Sequence, residues 1–392
     1  MVVAGKGDQS KVVVAVGVVV ETINEQLEDR VAAPVCGARA SQGVATACPR
    51  LEPLVTMSLC GAQDGRRVRG MTLPRVLLVI AVIGCGSTAR DAGPTGPPGA
   101  GPAATRAGEA AVPRAFRVEV SGSGPPVILI PGLASSGETW ATTVARLRGR
   151  YACHVLTLAG FAGVPPIEGK LLSAVETELT SYIESHRMVK PVIVGHSLGG
   201  TLAMMLATDR PELVGPLVIV DALPFFGTAL SATTAEEAKP TIERIRTAMA
   251  AQTQDEHEAV VRTGRMTNSM ATAAADQQRL ISWGLASDRA TVRDTWLEML
   301  GMDLRPALAQ VRSPALVIGT WIGWQAGAGR QRADLVLQFR DQYAALRRLH
   351  FAMSDTARHF VMFDDPGWFA GELERFLANP EAAVRDRGFP AL

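Results

Sequence analysis

The chain has 392 residues, 47% hydrophobic and 20% charged, a balance that suits a globular protein with a large core. Lys and Arg total 39 against 38 Asp and Glu, a formal net charge of +1 that points to neither nucleic acid nor another anionic polymer as partner. No metal-ligand spacing is evident and no cofactor is expected; of the five cysteines only Cys153 lies in the part that reads as folded, so that part has no internal disulfide.

Residues 1–70 read as an extension outside any domain. The apolar run Val12–Val20 is too short to span a bilayer, and no amphipathic period follows it. Residues 71–85 read as an export signal. Arg66, Arg67, Arg69 and Arg75 precede the apolar run Val76–Ile83, which exits into Gly84-Cys85-Gly86-Ser87. Val82-Ile83-Gly84-Cys85 also resembles the bacterial lipobox, in which a lipidated cysteine tethers a soluble domain to a membrane; a cleaved signal with an incidental Cys85 is the alternative. The working start is then Met57 or Met71. The protein is expected to be exported, periplasmic or membrane-anchored through Cys85, and cytoplasmic if the signal is unused. Residues 86–113 form a linker: Asp91–Pro113 is rich in Gly, Pro and Ala and buries too little surface to offset its ordering entropy.

Across residues 114–392 strands and helices alternate, the mark of a mostly parallel α/β sheet. Strands are predicted at Ala115–Val120, Val127–Ile130, Cys153–Leu158, Val192–Val194, Leu217–Val220, Ala315–Ile318 and Leu349–Met353. Helices are predicted at Leu171–His186, at Leu198–Asp209 (which stops before Pro211) and at Trp368–Leu377. Residues 223–308 carry helical patterns and no strand, the reading of a helical cap inserted into the sheet domain.

Gly195-His196-Ser197-Leu198-Gly199 fits a nucleophile elbow. Its glycines are needed because a strand turns sharply into a helix there, where a Cβ would meet neighbouring backbone. Here the motif directly follows Val192–Val194 and opens the helix from Leu198. With Ile130-Pro131-Gly132-Leu133, Val220-Asp221 and Arg358-His359-Phe360, the stretch Ala115–Leu377 resembles the α/β-hydrolase superfamily, in its capped single-domain esterases. Pro131 stands where His-Gly is usual in those relatives.

The resemblance implies an α/β-hydrolase fold with a helical cap, Ser197 as nucleophile and His359 as general base. His154, His186, His196, His257 and His350 fall in strands, helices or the elbow, and only His359 sits in a loop after the last strand. Most relatives carry the acid just after the strand matched by Ala315–Ile318, but Gly319-Thr320-Trp321-Ile322-Gly323 has no carboxylate. Asp221, at the end of Leu217–Val220, is the leading candidate, with Asp355 and Asp341 as alternatives. The oxyanion hole is expected at the backbone N–H groups of Leu133 and Leu198. Trp321, Trp324 and Phe225 are candidate pocket residues, although aromatic and Met residues at cap spacings are more often cap core.

The function expected is a serine carboxylesterase acting through an acyl-enzyme on neutral small to medium acyl or aryl esters. A lactonase, amidase or C–C bond hydrolase of the same fold, or a low-turnover ligand-binding relative, are alternatives. The partner expected is a small-molecule ester.

Overall fold

A computed structural model describes residues 115–384 and Phe389. The extension, signal and linker read at 1–113, with Cys85, lie outside the described residues.

Seven strands form one sheet: β1 (Phe116–Ser121), β2 (Pro126–Ile130), β3 (Ala152–Leu158), β4 (Val192–His196), β5 (Leu217–Val220), β6 (Ala315–Gly319) and β7 (Leu349–Met353). Their order is β1-β3-β2-β4-β5-β6-β7, with β1 antiparallel to β3 and every other pair parallel. The unbroken apolar runs of β4, β5 and β6 are buried throughout, as a sheet covered on both faces requires. Alternate side chains of β2 enter opposite layers: Ile128 and Ile130 join one core, Val127 and Leu129 the other.

Helices fill both layers. α1 (Ala141–Leu147), α2 (Leu171–Ser185) and α3 (Leu198–Asp209) precede the insertion. The insertion itself begins with a 3-10 turn, Phe226–Leu230, followed by α4 (Ala235–Ala251), α5 (Gln254–Arg262), α6 (Arg265–Met270), α7 (Ala274–Leu285) and α8 (Arg289–Gly301). After β6 come α9 (Ile322–Ala328) and α10 (Arg332–Gln342), and α11 (Pro366–Ala378) closes the second layer with Phe369, Leu373 and Phe376. No helix among the described residues is long and apolar enough to cross a membrane.

Two expectations need correction. The stretch after β6 is not an open loop: α9 begins at Ile322, so Trp321 is its N-cap and Trp324 lies within it. Phe225 does not line a pocket. It is fully buried, its N–H donates to Gln342 Oε1 at 3.1 Å, and the Arg305 guanidinium lies 4.6 Å from its ring centroid. A bridge between Phe225 and Asp303, with Leu304 N–H donating to Pro224 O at 2.9 Å, pins the two ends of the insertion together, and that role explains the aromatic there.

The chain runs from β2 to β3 on one side and from β4 to β5 on the other, so the carboxyl ends of β2 and β4 flank the point where the sheet reverses its winding. Open parallel sheets form their ligand crevices at such a point. Ile130-Pro131-Gly132-Leu133 and the elbow both leave the sheet there.

Candidate active site

Ser197 sits between β4 and α3 with φ 53° and ψ −117°, a region that a non-glycine residue enters only when its surroundings enforce it. The enforcement is steric. A Cβ on Gly195 would collide with the Gly199 carbonyl oxygen, and one on Gly199 with the Ile130 carbonyl oxygen. Ser197 N–H donates to Val220 O at 2.9 Å, tying the turn to the end of β5.

Parallel register then lines up the strand ends. His196 pairs with Val220 and Val220 with Ile318, so Ser197, Asp221 and Gly319 follow at the same level on three neighbouring strands. Asp221 also has a positive φ, 46°, and its N–H donates to Ile318 O at 2.7 Å. That turn directs its side chain, which is 6% exposed, to His359: Nδ1 lies 2.6 Å from Asp221 Oδ2. With Nδ1–H donating to the carboxylate, Nε2 remains as the ring nitrogen able to accept a proton.

Asp221 has two further donors, both from Thr320. The Thr320 N–H donates to Oδ1 at 2.9 Å and the Thr320 hydroxyl to Oδ2 at 2.8 Å. The alternative acids lie elsewhere. Asp355 is bound by Arg332 Nε at 2.6 Å, and Asp341 is an exposed partner of Arg340. Tyr343, behind the acid, donates its hydroxyl to Ala222 O at 2.8 Å. Burial and the nearby Asp221 charge hold the Tyr343 phenol well above its usual range, so it stays a donor.

No direct Ser197–His359 hydrogen bond occurs among the described residues. The two are joined through His196, whose Nε2–H donates to His359 O at 3.0 Å and whose ring centroid lies 4.5 Å from that of His359. Catalytic hydrogen bonds often tighten only when substrate is bound. His196 is fully buried; burial keeps its imidazole well below the usual range, and the neighbouring His359 lowers it further, against the raising effect of the bond to His359 O. Its low affinity for a proton makes it a weaker base than an ordinary imidazole, and its Nε2–H is engaged by His359 O.

The Leu198 N–H opens α3, where a helix leaves its first N–H groups without intrahelical acceptors. Leu133 follows Gly132, and the space a Gly132 Cβ would occupy is 3.3 Å from Ser197 Cβ, so this loop passes directly over the nucleophile. Leu133, Leu223, Phe226, Trp321 and Trp324 are partly buried apolar residues packed on the core, each within three residues of a group already named. Trp321 also spends its indole N–H on Asp355, at 3.3 Å. Arg358, beside His359, is committed to the insertion: its guanidinium donates to the Asn268 and Ala271 carbonyls, while Phe360 N–H donates to Met270 O at 3.0 Å. Among the described residues no group of three His, Cys, Asp or Glu side chains could hold a metal ion.

The residue that sequence reasoning missed is Thr320. Its signal was present as the stretch after Ile318 that lacks a carboxylate, but its partner is set by register across β5 and β6.

A family model described as the alpha/beta hydrolase family matches residues 127–372. Among curated proteins, a pimeloyl-[acyl-carrier protein] methyl ester esterase from Aeromonas hydrophila is 34% identical over 112 residues, 28% of this chain and 42% of that protein. An uncharacterized protein of Mycobacterium tuberculosis is 34% identical over 110 residues, 28% of this chain and 32% of that one. The chain thus spans less than half the length of these relatives. Among solved structures, an esterase from Exiguobacterium antarcticum matches with TM-score 0.55 at 14% identity, over 67% of this chain and 96% of that chain. An enol-lactonase from Burkholderia xenovorans matches with TM-score 0.54 at 16% identity, over the same shares. At such identities these two structures speak to the fold alone.

Proposed function

The chain belongs to the alpha/beta hydrolase family, and from that premise we propose that it is a serine hydrolase that cleaves carboxylic esters through an acyl-enzyme on Ser197. The observation that carries this reading is the 2.6 Å contact between His359 Nδ1 and Asp221 Oδ2 beside a serine at positive φ. His359 Nε2 takes the Ser197 hydroxyl proton as Oγ attacks the ester carbonyl carbon, and the carbonyl π pair moves onto oxygen. The N–H groups of Leu133 and Leu198 stabilise that oxyanion; one such donor contributes roughly 100- to 1,000-fold in kcat. Collapse of the intermediate expels the alcohol, which takes the proton from His359. Water then gives a proton to His359 while its oxygen attacks the acyl carbon, and Ser197 leaves with that proton.

The substrates we propose are neutral esters with small to medium acyl or aryl groups. Leu133, Leu223, Phe226, Trp321 and Trp324, near the proposed site residues in sequence, are partly buried and offer apolar area, which gains about 25 cal/mol per Å² buried. Arg358, next to His359 in sequence, donates from one guanidinium nitrogen to two backbone carbonyls of the insertion rather than standing open at the nucleophile. The Aeromonas relative, by its name a methyl ester esterase, supports an ester bond as the target.

Ser197→Ala tests the reading. It should lower ester hydrolysis by at least about 10,000-fold without unfolding the protein, and an organophosphonate should label Ser197. Near-normal turnover in the variant, or labelling of another serine, overturns it.

A further inference from the structure

We infer that Thr320 is a positioning residue that fixes the Asp221 carboxylate in the orientation His359 needs. This rests on the proposed triad and adds to it a residue that touches neither substrate nor reacting atoms.

A carboxylate on a short side chain can rotate about its last bond, and each rotamer offers His359 a different oxygen and lone pair. Asp221 is held in one of them. The Thr320 N–H fixes Oδ1 at 2.9 Å, and the Thr320 hydroxyl meets Oδ2 at 2.8 Å, on the oxygen that His359 Nδ1 approaches at 2.6 Å. Oδ2 thus has two donors and Oδ1 one, all from the protein. Thr320 is 1% exposed and the Asp221 side chain 6%, so water cannot readily replace a lost donor. A buried carboxylate deprived of a donor pays most of that group's desolvation penalty.

The acid must keep its orientation while His359 takes and returns the proton. Thr320 delivers both its donors because Asp221 N–H and Thr320 N–H run in opposite directions between the ends of β5 and β6, to Ile318 O and to Asp221 Oδ1. The β5–β6 register holds the threonine beside Asp221, as the β4–β5 register aligns Ser197 with Asp221.

Thr320→Val replaces the hydroxyl by a methyl of similar volume and keeps the N–H; Thr320→Ser keeps the hydroxyl and drops the methyl. With a small aryl ester, Thr320→Val should lower kcat about 10- to 100-fold, the range for losing a hydrogen bond to a charged group, with KM nearly unchanged. Thr320→Ser should recover kcat to within a few-fold of the parent. The proton NMR resonance of the His359 Nδ1–H should move in Thr320→Val and return in Thr320→Ser. Unchanged kcat and an unmoved resonance in Thr320→Val overturn the inference, as does equal impairment of the Ser and Val variants, which would assign the effect to packing. Asp221→Asn separates the two levels: if it too leaves kcat intact, the triad reading fails, whereas its failure to turn over beside a fully active Thr320→Val removes the inference alone.

Discussion

Around Ser197 the chain is held by backbone against backbone, whereas the interior of the insertion between β5 and β6, whose ends backbone bonds pin, is held by side chains. At the elbow, Gly195 meets the Gly199 carbonyl, Gly199 meets the Ile130 carbonyl, and Ser197 N–H is bonded to Val220 O. In the insertion, Thr234, Thr253 and Asp288 cap α4, α5 and α8, and Ile245, Met249, Trp296 and Leu300 fill the interior. Outward, its ion pairs such as Lys239–Glu236 and Arg262–Glu258 lie at the surface, where water and salt screen them and they add little to stability. The difference is one of tolerance. Backbone contacts demand particular residues at particular positions, while an amphipathic helix asks only for the right kind of side chain on the right face.

The largest expected effect is at the rigid end. Asp221→Asn preserves shape but removes the charge that orients His359, and kcat should fall roughly 1,000- to 10,000-fold with the melting temperature little changed. Asp355→Asn and Asp341→Asn, altering exposed ion pairs, should stay near parental activity. Steady-state hydrolysis of an aryl ester by the three variants, with thermal unfolding alongside, checks this. Comparable loss in all three would remove the contrast between a positional site and a tolerant surround.

The same contrast governs what was legible in the sequence. Gly195-His196-Ser197-Leu198-Gly199 was readable to the residue, since the steric demand lies within five positions. The strands were readable too, because a buried parallel strand is a continuous apolar run; their predicted ends lie within two residues of those observed. Asp221 emerged as the leading acid from its place at a strand end, yet only the register of β5 against β6 brings Thr320 to it. His196 was read merely as part of the motif; its bond to His359 O spans 163 positions and leaves no local trace. Phe225 was harder, because an aromatic side chain has the same sequence signature in a core as in a pocket.

A pair of glycines sharpens the comparison. Gly195→Ala must push backbone against backbone, so we expect a loss of about 3–5 kcal/mol or no folded protein. Gly284 lies in α7, and a Cβ there would meet nothing nearer than Val261 Cγ1 at 3.8 Å. Gly284→Ala should therefore gain about 0.4–1 kcal/mol, because alanine has less freedom to lose in a helix. Denaturant unfolding of both variants should give opposite signs. Destabilisation by Gly284→Ala would show the insertion to be as tightly determined as the elbow.

The last contrast concerns two imidazoles that burial pushes in the same direction. His257, in α5, is fully buried; burial pushes it down to about 4, with the Arg289 charge acting in the same direction and Glu258 opposing both. In the unfolded chain a histidine titrates near 6.5. Between those values the unfolded chain binds a proton that the folded chain does not, so acidification favours unfolding. The contribution is complete above about pH 6.5, declines as the pH falls, and is lost below about 4, with a total of about 3 kcal/mol. His257→Leu removes this titration. Denaturant unfolding at pH 7 and at pH 4.5 should therefore show a smaller acid loss in His257→Leu than in the parent, with ester hydrolysis at pH 7 unaffected. Burial also pushes His196 down, so acidification acts on it in the same direction, but its Nε2–H anchors the His359 loop. His196→Leu should thus relieve some acid sensitivity at the cost of kcat at pH 7. If both substitutions left kcat intact, the His196 bond to the base loop would be structural padding like the insertion's own core; if both lowered it, the insertion would hold the site as closely as the elbow does.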